Sequence, residues 1–284
     1  MDAVHRFSKP QLRRPRAIIA FEGWNDAADS ASGSVNYLVE QLDLVKPFAA
    51  IDPEEFYDFQ AHRPHVEVDD GGTRSLSWPM TRFFAAQLPD DDRDLLLVVG
   101  EEPSFRWKTY ARHITQVLVE NDVESAVLLG AFIGQVSHAA PVPVVGVATD
   151  PSLVSSQGLM TSSYEGPTGI VGVLLEACRE VGLPTLSLWA ATPHYLAANP
   201  NPSAMLALTR TASKALNLKV DLGPLDRLSG EFVDRVNRAL EESGDLREYV
   251  AQLEDANESG NLNPEASEEL LSEIEDFLRE QPER

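Results

Sequence analysis

From Arg16 to about Leu218, short β-branched runs alternate with longer helical patterns, which predicts an α/β fold: a mostly parallel sheet with helices on its faces. The size agrees, because 284 residues with 43% hydrophobic content can bury one large core plus an appendage, or two small domains. The first strand is the apolar run Ala17 to Phe21, and the helical pattern Ala27 to Leu42 follows it. Phe48 to Ile51 is the second strand. His65 to Trp78 alternates apolar and polar residues around Asp70-Gly71-Gly72, which predicts a hairpin at a sheet edge and so a mixed sheet. The apolar stretch Asp94 to Val99 is the next strand, with a helix over Phe105 to Asn121. Strands Ala126 to Leu129 and Val142 to Ala148, a helix over Thr168 to Val181, a strand Thr185 to Ala190 and a helix Ser203 to Leu216 complete the pattern.

The pattern divides the chain into a core domain, residues 1–222, and a tail, residues 223–284, without strand signals. The tail has about three acidic residues per basic one and holds roughly half of the net charge. Three amphipathic helices fit it: one through Leu225, Leu228, Phe232 and Val236, one through Leu246, Tyr249, Val250 and Leu253, and one through Leu270, Leu271, Ile274, Phe277 and Leu278. Asn263 as cap and Pro264 at the first helical position start the third. Each helix has an apolar stripe, so the tail is expected to dock, on its own core or on a neighbouring subunit. A partner-binding arm is the alternative.

A balance of 45 acidic against 23 basic residues, formally −22, repels nucleic acid phosphates and anionic lipids. No apolar run approaches the ~18 residues of a membrane span, and no signal peptide is visible. The lone cysteine, Cys178, lies among Leu174, Leu175 and Val181 and reads as a buried hydrophobe of a cytoplasmic protein.

Four loops are expected to converge on one sheet edge, where ligands of open α/β sheets usually bind. The first carries Glu22, Asn25 and Asp26, and the second Glu101, Glu102 and Arg106. The third runs from Gly130 to His138 and includes Ser137; the fourth, with Tyr164 and Thr168, ends at a helix start whose free amides favour an anion or polar group. Each group has a plainer reading. Asn25 and Asp26 suit a helix cap, Glu101 and Glu102 a surface network with Arg106 or Lys108, and His138 and His194 ordinary hydrogen bonding. Glu22, Asp26 and Glu101 suit a hard cation such as magnesium, but their spacing does not require one; zinc has no ligand set, and no cofactor is called for. Neither Gly-x-Ser-x-Gly nor a phosphate-cradling glycine loop is present.

Taken in order, Phe21-Glu22-Gly23-Trp24-Asn25-Asp26-Ala27, Gly100-Glu101-Glu102-Pro103 with Arg106-Trp107, Leu129-Gly130-Ala131-Phe132 with Ser137-His138, Tyr164-Glu165-Gly166-Pro167-Thr168-Gly169 and Leu188-Trp189-Ala190-Ala191-Thr192-Pro193-His194-Tyr195 resemble the proteasome assembly chaperone family in its actinobacterial-type branch. The likeness covers about residues 14–217. It implies a three-layer α/β/α domain like that of nucleoside phosphorylases and hydrolases, and relatives that guide proteasome subunits together without catalysis. By analogy with that fold, a homo-oligomer is expected, a trimer first. Relatives that dock into proteasome pockets end in a hydrophobic-Tyr-any tripeptide; this chain ends Gln281-Pro282-Glu283-Arg284, which speaks against that mode. The acidic tail also lies outside the shared pattern.

Two functions follow. One is a non-enzymatic assembly factor. The other is a nucleoside-type hydrolase with Glu22 or Glu101 as general base, Asn25 orienting a sugar hydroxyl and His138 assisting the leaving group. Phosphorolysis is disfavoured, because two like charges ~4 Å apart repel by about 4 kcal/mol at an effective dielectric near 20. The same charge, with Lys108 and little else to offset it, argues against an ATP-grasp-type enzyme.

Overall fold

The structure, a computed structural model, describes residues 3–69, 71–197, 200–242, 248 and 250–251. Its strands are β1 (Val4–Arg6), β2 (Arg16–Glu22), β3 (Ala49–Ile51), β4 (His65–Val68), β5 (Arg74–Ser77), β6 (Thr81–Ala86), β7 (Leu95–Glu101), β8 (Ser125–Gly134), β9 (Val144–Ala148), β10 (Met160–Thr161) and β11 (Thr185–Pro193). The helices are α1 (Ser30–Gln41), α2 (Trp107–Glu120), α3 (Pro151–Ser156), α4 (Ile170–Glu180), α5 (Pro202–Leu216) and α6 (Gly223–Glu242).

Nine strands form one sheet in the order β1-β3-β6-β7-β2-β8-β11-β9-β10. Its centre, β7-β2-β8-β11, is parallel, while β6 runs against β7 and β9 against β11. Successive side chains of a strand face opposite ways. In β2, Ala17, Ile19 and Phe21 therefore enter one core, beneath α2 and α4, and Ile18 and Ala20 enter the other, beneath α1 and α5. Both faces are covered, which is why the central strands read as continuous apolar runs rather than alternating ones. The three-layer α/β/α arrangement is thus present.

Beyond α5, α6 adds Leu225 to the second core and buries Phe232, Val236 and Ala239. Ser203 and Ser229 share a hydrogen bond of 2.9 Å, and Arg210 pairs with Asp226 at 2.9 Å. This helix occupies the first of the three expected tail segments. Apart from Glu248, Val250 and Ala251, the second lies outside the described residues, as does the third with Asn263 and Pro264.

Two expectations are corrected. The hairpin forms, but β4 and β5 make their own two-stranded sheet rather than an edge of the main one. Val66, Val68 and Leu76 are exposed, so its alternation marks no buried face; the mixed character comes instead from β6, β3, β1 and β9. The expected loop from Gly130 begins later, because β8 continues to Gly134 in register with β11 as far as Pro193.

Candidate functional site

At the carboxyl edge of the sheet, the register of β2 and β7 sets Glu22 beside Glu101. Neighbouring carboxylates on adjacent strands repel. Glu22 is exposed on one side, yet protein atoms on the other desolvate it, and Glu101, Asp26 and Asp29 add like charge; its carboxyl is pushed above the usual range, with Arg82 opposing. The chain then turns at Gly23, where φ is +107° and a Cβ would stand 3.2 Å from that of Glu102. The Asn25 carbonyl accepts the Ala131 amide at 2.8 Å and so ties this turn to β8.

Asp26 is buried and turned towards α1. Its carboxylate accepts from the Ala31 amide at 2.6 Å, the Ser32 amide at 3.1 Å and the Ser32 hydroxyl. Burial pushes its pKa up to about 6 despite these donors. Between Asp26 and α1, Ala28 and Asp29 take left-handed φ values of 53° and 46°, uncommon without glycine. No glycine or other local signal marks that kink.

Glu102 fastens three loops. One oxygen accepts from Asn25 Nδ2 at 2.7 Å and from the Ile170 amide at 2.7 Å, satisfying a free N–H of the first turn of α4. Gly169 lies flush on the Asn25 carboxamide, whose Oδ1 is buried without a hydrogen-bond partner. Glu102→Ala is expected to cost about 2 kcal/mol, since it strands a buried amide and an α4 donor. Urea denaturation checks this: Glu102→Gln, which keeps the acceptor, should lose less than half as much.

The remaining candidates separate. Glu101 Oε2 meets His62 Nδ1 at 2.9 Å, while its backbone carbonyl accepts from the Tyr57 hydroxyl at 2.8 Å. Burial pushes Tyr57 up to about 12. Arg106 turns away to pair with Glu55. Tyr164 is exposed and donates to the Pro167 carbonyl at 2.8 Å, and Thr168 is exposed beside Gly169. His138 sits elsewhere, bonded on both ring nitrogens. The Tyr195 hydroxyl accepts from its amide and donates to Nδ1, each at 2.9 Å, so Nε2 carries the proton to Asn237 Oδ1 of α6 at 3.0 Å. Ser137 and His138 line a pocket with Pro193, Asn201 and Phe232 of about 10 Å³, about the room of one water. His194 is half-buried, and desolvation lowers its pKa against the opposing Gly134 carbonyl.

Among the described residues, no group of three or more His, Cys, Asp and Glu side chains is gathered as a metal ion would need. No helix there is long and apolar enough to cross a membrane. Cys178 is buried, and burial pushes its thiol up to about 11.

The model of the PAC2 family matches residues 20–240. The chain belongs to the PAC2 family. Among solved PAC2 structures, one from Streptomyces avermitilis is 44% identical, covering 79% of this chain and 95% of its own, with a TM-score of 0.75. A Mycobacterium tuberculosis proteasome-assembly chaperone homologue is 38% identical, covering 83% and 99%, with a TM-score of 0.76. An archaeal proteasome activator from Pyrococcus furiosus, at 19% identity, 84% and 98% coverage and a TM-score of 0.65, shares the fold. No match was found among curated proteins.

In this PAC2 chain the family motifs meet as a structural junction: Glu22, Asn25, Asp26, Glu101 and Glu102 come together, and Gly169 closes on them. Sequence reasoning missed Tyr57, His62 and Asn237, and gave Tyr195 no role beyond its place in a family string. The first two lie in a turn-rich stretch without periodicity, where only the aromatic cluster Phe56, Tyr57 and Phe59 marks a packed segment.

Proposed function

We propose that this PAC2 chain acts by binding protein, as a non-enzymatic assembly factor of the proteasome-related kind, in the cytoplasm and as a homo-oligomer. The carrying observation is that Asn25, Asp26, Glu102 and His138 are spent on internal bonds. Asn25 and Glu102 hold each other and α4, Asp26 holds α1, and His138 is held between Tyr195 and Asn237. A hydrolase would need Glu22 or Glu101 beside a substrate-sized cavity, with Asn25 and His138 free to turn to it. Likeness to the Mycobacterium tuberculosis chaperone homologue gives the reading its partner class.

The test mixes the purified chain with proteasome α and β subunits of the source organism and follows assembly on native gels. A complex containing the chain, or faster appearance of the mature particle, is the expected result. Unchanged assembly at equimolar chain with no complex would refute it. In parallel, nucleosides should not be hydrolysed; turnover abolished by Glu22→Gln would restore the enzyme.

A further inference from the structure

Five aromatic side chains are exposed among the described residues, and four of them, Trp24, Phe105, Phe132 and Tyr164, belong to the segments at the carboxyl edge of the sheet; the fifth is Phe7. Trp24 is 63% exposed and Tyr164 65%. Single exposed apolar residues are ordinary, but a collection on one edge marks an interaction surface.

These rings are mounted on tethered backbone. Trp24 precedes Asn25, whose carbonyl holds the Ala131 amide, and Phe132 follows Ala131. The Phe105 amide is bonded to the Phe56 carbonyl at 2.9 Å, and the Tyr164 hydroxyl is fixed on Pro167, two residues before Gly169 at the Asn25 junction. A surface ordered in advance loses little conformational freedom on binding.

The same edge is negatively charged. Glu22, Asp29 and Glu165 are exposed, and Glu101 is half-buried. Nearby basic groups are partly committed: Arg106 pairs with Glu55, His62 is bonded to Glu101, and Arg82 opposes the charge of Glu22. Aromatic faces framed by carboxylates attract guanidinium and ammonium groups, by cation–π contact at the ring and by charge at the rim.

We propose that this edge docks a basic protein segment in which arginine or lysine alternates with apolar side chains. A two-fold pairing with a second copy would face Glu22, Asp29 and Glu165 against themselves in a chain of charge −22. Nucleic acid is repelled by the same groups. The proposal rests on the binding reading above and adds where the partner sits and what chemistry it carries.

Two labelled peptides of equal length, one alternating arginine with leucine and the other glutamate with leucine, are titrated with the full chain and followed by fluorescence anisotropy. The arginine peptide should bind and the glutamate peptide should not. Trp24→Ser combined with Phe132→Ser should weaken binding about tenfold or more, as loss of central aromatic anchors does. Tyr164→Ser should weaken it less, and Glu22→Gln should weaken it while flattening its salt dependence. Val45→Ser, at an exposed site past the far end of α1, should leave it unchanged. Equal binding of both peptides, or an unaffected Trp24→Ser/Phe132→Ser variant, overturns the proposal. So does sedimentation in which that variant falls apart to monomers, since a second copy would then own the edge. If the proteasome subunits fail to associate while the arginine peptide binds as described, the docking edge is supported and only its proteasomal partner is removed.

Discussion

Gly100→Ala is expected to cost the fold about 3 kcal/mol, the upper part of the range for overpacking a tight site. A Cβ at Gly100 would stand 2.6 Å from the Thr81 Cα and 2.8 Å from the Met80 carbonyl oxygen. Both are backbone atoms of the neighbouring β6 segment, so no rotamer change relieves the clash and the strands must part. Parting them disturbs the Thr81 hydroxyl, which is bonded to Tyr110, and the Glu101 carbonyl beneath Tyr57. The melting temperature should fall by roughly 6–12 °C for a domain of this size. Gly230→Ala is the control. That glycine is exposed on α6 with nothing within 4 Å of its would-be Cβ, so alanine there should stabilise by about 0.5–1 kcal/mol. Equal melting of the two variants would contradict the packing argument.

Asp26 should make stability depend on pH in the direction opposite to most carboxylates. Its folded-state pKa lies at about 6 against an ordinary 3.8, so the folded chain binds this proton more tightly than the unfolded chain does. The stabilisation is complete below the unfolded value and is lost as pH rises through 6, a span of about 3 kcal/mol. Asp26→Asn keeps an acceptor for the Ala31 and Ser32 amides and a donor for the Ser32 hydroxyl, without the charge. It should be at least as stable as wild type at pH 8, and the difference between the two should shrink towards pH 5. Asp26→Ala strands all three partners and removes the titrating group, so its loss relative to wild type should be about 3 kcal/mol at pH 5 and smaller at pH 8. Urea denaturation at both pH values decides. If Asp26→Asn is as unstable as Asp26→Ala at pH 8, the bonds to the charged carboxylate outweigh its burial and the argument fails.

The central strands were legible because burial on both faces writes a continuous apolar run, as in Ala17 to Phe21 and Leu95 to Val99. Helices α1, α2, α4 and α5 were legible from their stripes, to within a few residues of their ends, whereas the six-residue α3 was not. Strand β6 was not: Thr81–Ala86 follows Pro79 and gains its identity from pairing with β7, a contact that no local pattern records. The hairpin's position was hidden for a related reason, since alternation reads the same whether the apolar face is covered or bare. At the site, sequence picked out residues that do meet, such as Asn25 and Glu102, because polar groups at the ends of apolar runs stand out. Their partners did not stand out. Glu102 reaches Asn25 across 77 positions and Ile170 across 68, and His138 reaches Asn237 across 99. Such bonds depend on how the layers stack.

The placement of β2 in the middle of the sheet bears on how the chain comes off the ribosome. Its two neighbours, β7 and β8, begin about 70 and 100 residues after it ends, so at ~5–20 residues per second it waits roughly 4–20 s for them. Throughout that wait an apolar strand with open hydrogen-bonding edges is available to other nascent chains. Arg13 and Arg14 precede it and Arg16 is its first residue, and in the finished fold they take Asp94, Glu124 and Asp91. Before those acidic partners are made, the three unpaired positive charges act as gatekeepers that keep emerging copies apart.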